Sequence, residues 1–381
     1  MALRLLKFDT INPEQYLNER VKENLPSIKS MSRKEFLEWI ISLRGNFSDF
    51  YTHNLQKLGW EAEEFFVTSY YIDKVADELY GKSKKIKKIK NKLKDKVRPV
   101  RKRWILNVIA GYIEKYKPDV ILVREVIGLP SDFWKGYSNK ILLVSRIAAP
   151  IPRLWSPADW DLILTSTTAY KTFFELNGID SFINHNGFDE RILKEVKNGT
   201  KKHELTFVGG LGDRYWAERT KCVEYFAGKV DFKWWGYNGN KYPEDHPINK
   251  SWQGLTSGLE MLQIYSQSKI VFNDYGKVAD GMAVNQRMFE VLGLGSFLLT
   301  RDAENLNKEY PKNIFITYKD NKDCLDKINY YLKNEKEREE IAEAGQKYLL
   351  NNFTYVKLMN ELDTVLRKSF QKKFLNKSNN L

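Results

Sequence analysis

The sequence predicts two α/β domains, each a doubly wound parallel sheet, on three observations. Short continuous apolar runs recur along the chain with helix-like stretches between them, the pattern of strands buried on both faces of a parallel sheet. At 381 residues the chain exceeds what one hydrophobic core usually supports. A polar passage punctuated by Asn and Gly, "NHNGFDERILKEVKNGTKKHE" (184–204), splits the runs into two sets of similar size.

In chain order, the first set is "LRLLKF" (3–8), "EEFFV" (63–67), "DVILV" (119–123), "KILLVSR" (140–146), "DLILTS" (161–166) and "SFINH" (181–185). The second is "ELTFVGG" (204–210), "VDFKWWG" (230–236), "KIVFND" (269–274), "GSFLLT" (295–300) and "NIFITY" (313–318). Residues 320–349 and 352–370 read as charged amphipathic helices, the second with an apolar stripe of Phe353, Tyr355, Leu358, Leu362 and Leu366. The expected organisation is an N-terminal domain over 1–190 that includes a basic helical segment at 80–104. A second domain follows over 203–350, then a C-terminal helix and basic tail over 351–381.

Composition narrows the function. A hydrophobic content of 42% with 14% aromatics supplies globular cores. No apolar run reaches the roughly 20 residues that span a bilayer, and "MALRLLKFDT" lacks the pattern of a signal peptide. Cys222 and Cys324 are too few for a disulfide framework or a cysteine-built zinc site. A cytoplasmic protein is expected. The net charge of +13 is concentrated. Residues 82–103 hold thirteen Lys and Arg against Asp95 alone, and Arg367 to Leu381 adds five basic residues and no acid. Ile86, Ile89, Leu93, Val97 and Val100 form a stripe among those lysines, the pattern of a basic amphipathic helix that docks on an anionic membrane surface. Pro99 is expected to end or kink that helix.

Two motifs carry chemistry. "TFVGGLGDRYWAERTK" (206–221) is a strand, a glycine turn and a helix. Gly209 and Gly210 allow close backbone approach, and Arg214 and Arg219 supply charge at a helix start that favours anions. "VADGMAVNQRMFEVLGLGSFLLT" (278–300) places Asn285 as a helix cap, Arg287 beside it and Glu290 one turn on. Residues three apart share a helix face, so Arg287 and Glu290 form either a surface ion pair or a pair aimed at a ligand. A carboxylate there can accept two hydrogen bonds from vicinal hydroxyls. Gly293 and Gly295 suit close helix–strand packing. No metal-ligand spacing, G-x-x-x-x-G-K-[ST] loop or G-x-S-x-G elbow is present. No metal or cofactor is expected.

These pieces resemble two-domain glycosyltransferases of the GT-B fold, specifically the spore-maturation CgeB-like group. The resemblance runs through "FSDFYTHNLQKLGWEAEEFFV" (47–67) as first helix and second strand, "KPDVILV" (117–123), "IAAPIP" (147–152) and "DLILTSTTAYKTFFELNGIDSFINHNGFDERIL" (161–193). It continues in "LTFVGG" with Arg219, "YSQSKIVFND" (265–274) with Tyr265 and Asn273, "NQRMFEVLGLGSFLLT" and the closing helices of 318–361. It implies two Rossmann-like domains facing a central cleft. It also implies a nucleotide-sugar donor whose ribose meets Glu290 and whose diphosphate meets Arg287 and Arg219. Many retaining relatives carry another glutamate eight residues before the ribose one; here that position is Met282, so stereochemistry does not carry over.

The expected function is metal-independent transfer of a sugar to a surface polysaccharide or glycoconjugate acceptor, glycan or lipid-linked, on the inner face of the plasma membrane. Developing diphosphate charge would be met by helix N-termini and Arg. Candidates for a catalytic base are Glu125, His53, Asp49 and His185. The alternatives are a sugar-nucleotide epimerase of the same fold, a nucleic-acid or polymer binder using the lysine run, and a non-catalytic surface-polymer scaffold. Nucleic acid is not the expected partner, because no aromatic is interleaved in the run and no recognition module accompanies it.

Overall fold

The computed structural model describes residues 2–45, 48–81, 98–124, 129–147, 151, 155–197, 199–212, 216–275 and 285–375, with backbone alone for 98–102. The chain forms two compact units. The first comprises Met1–Ile183 and Met359–Leu381, the second Asn184–Leu358. Residues 184–190, expected in the first domain, cluster with the second.

The first unit contains β1 (Arg4–Asp9), β2 (Glu61–Phe66), β3 (Val120–Arg124), β4 (Leu142–Arg146), β5 (Leu162–Thr165) and β6 (Ser181–Ile183). They form one sheet in the order β2-β1-β3-β4-β5-β6, every pair parallel. β3 and β4 are buried along their whole length, which is why they read as unbroken apolar runs. Phe8, Phe65 and Trp134 meet in the core, with Phe8 ring centroids 4.8 Å from each of the others.

Three helices, Glu14–Glu23, Leu25–Ser30 and Arg33–Ser42, stand between β1 and the helix Phe50–Lys57. The resemblance had made that last helix the first. Arg33–Ser42 starts at a reciprocal cap between Ser32 and Glu35. Pro99 is the second residue of the helix Arg98–Tyr116; in a first turn the missing N–H has no helical partner to lose, and the basic helix that Pro99 was expected to end or kink falls outside the described residues. Residues 82–97 lie outside the described residues. Helix Tyr355–Phe374 starts in the second unit and from Met359 belongs to the first. There Met359, Leu362 and Leu366 are fully buried, the Trp60 indole N–H donates to Asp363 at 2.5 Å, and Lys373 pairs with Asp161.

The second unit contains β7 (His203–Val208), β8 (Phe232–Trp235), β9 (Ser268–Asn273), β10 (Leu298–Arg301) and β11 (Ile316–Tyr318). The order is β11-β10-β9-β7-β8, again parallel throughout. β10 begins three residues later than the run "GSFLLT" because Gly295, with φ +66°, turns the chain out of the preceding helix. Both sheets are doubly wound and Rossmann-like. Winding reverses between β1 and β3 in one and between β7 and β9 in the other, and ligands of such sheets sit at the carboxyl ends of strands at that point. Among the described residues no helix is long and apolar enough to cross a membrane. Cys222 and Cys324 are buried free thiols.

Candidate active site

The winding reversal of the second sheet is where the donor candidates gather. Helix Gln286–Gly293 starts at Asn285, whose side-chain oxygen accepts the Met288 N–H at 3.2 Å. The Asn285 amide donates to Asn273 Oδ1 at 2.9 Å, which ties the helix start to the last residue of β9. Arg287 then spreads over the strand ends. Its Nη1 donates to Asn273 Oδ1 at 2.6 Å and its Nε to the Tyr265 hydroxyl at 3.1 Å. Its Nη2 donates to the Val208 carbonyl. The guanidinium lies 4.8 Å over the Phe207 ring.

Arg219 comes from the neighbouring helix Ala217–Phe226 and donates to the Gly210 carbonyl at 3.0 Å and the Asp274 carbonyl at 2.8 Å. It too lies over Phe207, at 5.3 Å, and its buried Nε has no hydrogen-bond partner among the described residues. Burial, and then repulsion from Arg287, push its pKa down to about 9. The nearby Asp274 carboxylate is already taken by Arg301 at 2.8 Å and the Tyr318 hydroxyl at 2.7 Å. Two guanidiniums are thus packed together and, among the described residues, hydrogen-bonded only to neutral acceptors. Desolvated positive charge without a carboxylate bond is an arrangement that favours an incoming anion.

Gly209 makes the approach possible. A Cβ there would fall 2.7 Å from the Phe207 ring and 2.9 Å from the Arg287 guanidinium. Gly293 has a different task from the one expected. Its missing Cβ makes room for the Phe188 ring, 2.3 Å from where that atom would stand.

Arg287 and Glu290 do not form an ion pair. Glu290 is 7% exposed, and its carboxylate makes no hydrogen bond or salt bridge among the described residues. Burial pushes its pKa up to about 7, with Arg287 opposing. Tyr265 and Asn273 stand behind Arg287: both are buried and spend their polar atoms on holding it, with Asn273 also donating to Thr300 at 3.0 Å. Burial raises the Tyr265 pKa to about 12.

The candidate bases are not brought together in this way. Asp49 lies at the start of helix Phe50–Lys57, paired with Arg44 at 3.2 Å, and His53 is half-buried one turn on. In the second unit His185 stands edge-on to Phe353 at 5.3 Å. Glu125, Arg214 and Met282 lie outside the described residues. Sequence reasoning missed a buried charge cluster at the carboxyl ends of β1, β2 and β3. Lys7 lies 2.7 Å from Glu64 and 3.1 Å from Asp9, and Arg124 lies 3.8 Å from Asp9. Burial lowers the Lys7 pKa, but Glu64 and Asp9 overcome it and keep the ammonium charged. Its signal was a lysine inside "RLLKFD", where a strand buried on both faces should carry none.

Residues 217–364 match a family model described as glycosyl transferase-like. A search of curated proteins finds no match. Solved structures that resemble the chain include sucrose-phosphate synthase from Thermosynechococcus elongatus, with TM-score 0.57, 8% identity and coverage of 97% of this chain and 100% of that one. Anabaena HepE in complex with UDP and glucose gives 0.53 and 12%, over 96% and 100%. A Listeria monocytogenes protein described as a UDP-N-acetylglucosamine 2-epimerase gives 0.59 and 11%, over 98% of each chain. The fold is GT-B, and the enzyme class is glycosyltransferase. The family match is broader than the CgeB-like group of the resemblance.

Proposed function

We propose that this glycosyltransferase takes its sugar from a nucleotide-sugar donor held at the winding reversal of the second sheet. The observation that carries the reading is the guanidinium pair, buried Arg219 and half-buried Arg287, beside a helix start and one turn from Glu290, which has no hydrogen-bond or ion-pair partner among the described residues. In this reading Arg287 and the start of Gln286–Gly293 hold the diphosphate, and Glu290 accepts hydrogen bonds from the ribose hydroxyls. The backbone at Gly209 and Gly210 lets the phosphates approach. Positive charge fixed where the diphosphate departs lowers the barrier without a metal. The UDP bound to Anabaena HepE, which shares the fold, supports a nucleotide as ligand.

The acceptor side is proposed for the first unit, with Glu125, His53 and Asp49 as base candidates and His185 as one from the second. The proposed acceptor is a glycan or lipid-linked glycan of the cell envelope, in line with the CgeB-like resemblance. Peripheral membrane docking through 82–103 follows from its charge and apolar stripe. Anionic liposomes should sediment the protein, and changing Lys84, Lys85, Lys87 and Lys88 to Glu should abolish this. Equal sedimentation of the variant removes the docking proposal. The epimerase-like neighbour supports a second reading, in which the donor sugar is altered and no acceptor is used.

The test is a thermal-shift series with UDP, GDP, CMP and dTDP, followed by product analysis. A ligand that binds the native state raises its stability by mass action. One nucleotide should stand out, with and without EDTA, and the matching sugar nucleotide should be turned over only with acceptor. No shift with any nucleotide overturns the donor site. Isomerised sugar without acceptor establishes the epimerase.

A further inference from the structure

A cavity of about 310 Å³ opens in the second unit, away from the arginine pair. Its walls come from Lys201 in the lead-in to β7, Lys269 at the start of β9, Phe297 in the turn before β10, and helix Glu335–Asn352. These are the amino ends of the strands, whereas Arg219 and Arg287 lie at the carboxyl ends. The two sites are therefore separate. Small-molecule sites commonly run from about 300 to 1,000 Å³, so this one has room for a small ligand.

The lining carries three cations, Lys201, Lys269 and Arg338, against two carboxylates, Glu339 and Glu343, and the cations are unequally matched. Arg338 is fixed by the Tyr331 carbonyl at 2.7 Å and Glu335 at 2.9 Å. Lys269 lies 3.6 Å from Glu204. Lys201 gives its ammonium only to the Ser266 carbonyl, at 2.8 Å, and has no carboxylate within ion-pair distance among the described residues. Burial, and then Arg338 beside it, push its pKa below the ordinary lysine value, with Glu339 opposing. A partly buried ammonium beside a guanidinium gains from an anion that brings both charge and hydrogen-bond acceptors.

We infer that this cavity is a binding site for a small phosphate-type oxyanion, held by Lys201 and Lys269 and distinct from the donor site. One residue of its lining is hydrogen-bonded to the helix that carries Arg287. Gln346, in the lining, donates to the Gly293 carbonyl at 3.0 Å, and Gly295 forms part of the rim. An occupant therefore reaches the end of that eight-residue helix only through Gln346.

Inorganic phosphate is the probe, titrated into the full chain against chloride at matched ionic strength and followed by phosphorus NMR line broadening. Saturable binding is expected in the wild type and in Arg287→Ala, which disables the donor site. Lys201→Met combined with Lys269→Met should weaken it roughly tenfold or more, and Lys201→Arg should retain it. Circular dichroism checks that each variant is folded. If the double variant does not fold, Lys269→Met alone should still weaken binding. The inference is overturned by absence of saturable binding in the wild type, by unchanged affinity in the lysine variants, or by loss of binding in Arg287→Ala. The last result would assign the phosphate to the donor site and leave the donor reading standing.

Discussion

Replacing Glu290 by Gln should stabilise the ligand-free protein while weakening its hold on nucleotide. Burial raises the Glu290 pKa from its ordinary 4.5 to about 7. The native protein therefore keeps this proton to higher pH than the unfolded chain does. The sign follows from that difference. Stability is full below about pH 4.5 and falls as pH rises through about 7, because the ionised carboxylate is the disfavoured form. At about 1.4 kcal/mol per pK unit, the loss above pH 8 is about 3 kcal/mol as an upper figure. Gln keeps the shape and removes the charge. Urea unfolding should show Glu290→Gln close to wild type at pH 5 and more stable by up to about 3 kcal/mol at pH 8. Calorimetric titration at pH 8 should show nucleotide affinity reduced by about 1.5–3 kcal/mol, because the hydroxyls lose a charged acceptor. Wild-type binding below pH 7 should release protons as the ligand recruits the carboxylate form. A stability difference independent of pH, or unchanged affinity in the variant, refutes the reasoning.

Arg287→Lys should weaken nucleotide binding roughly tenfold or more in the same titration, because one ammonium cannot serve Asn273, Tyr265 and Val208 together. Gly293→Ala should destabilise the protein by about 1–3 kcal/mol in urea unfolding, since its Cβ would enter the Phe188 ring; an unchanged midpoint contradicts the packing. Leu362→Ala and Leu366→Ala should each cost about 2–5 kcal/mol, as both are fully buried.

All eleven strand expectations correspond to strands of the structure, because a strand buried on both faces writes itself as a local apolar run. The helix Gln286–Gly293 and its cap were legible for a similar reason. Asn285, Arg287 and Glu290 lie within six residues and their spacing needs only helical geometry. What was not legible depends on groups far apart in the chain. Spacing alone allows Arg287 to pair with Glu290, and only the folded positions of Val208, Tyr265 and Asn273 draw it away. Phe207, which sits under both guanidiniums, is one more apolar residue of a strand when read in sequence. The Lys7–Glu64–Asp9–Arg124 cluster joins three strands separated by long insertions, and the helices before Phe50 interrupt the simple alternation. Gly293 was read as a strand contact because its partner, Phe188, lies about a hundred residues upstream.

The chain visits the first unit twice, at its beginning and at its end. That order has a consequence for biosynthesis. Met359, Leu362 and Leu366, which complete the core of the first unit, are the last part of it to be made. At about 5–20 residues per second, the intervening residues 184–358 occupy the ribosome for roughly 10–35 s. Throughout that interval the surface that these side chains will cover, with the Trp60 indole beside it, has no partner. A chain that ends before residue 359 therefore holds all the residues of the second unit and lacks those three of the first. Nascent chains of that length should be bound by holding chaperones through their N-terminal part, although it emerged first.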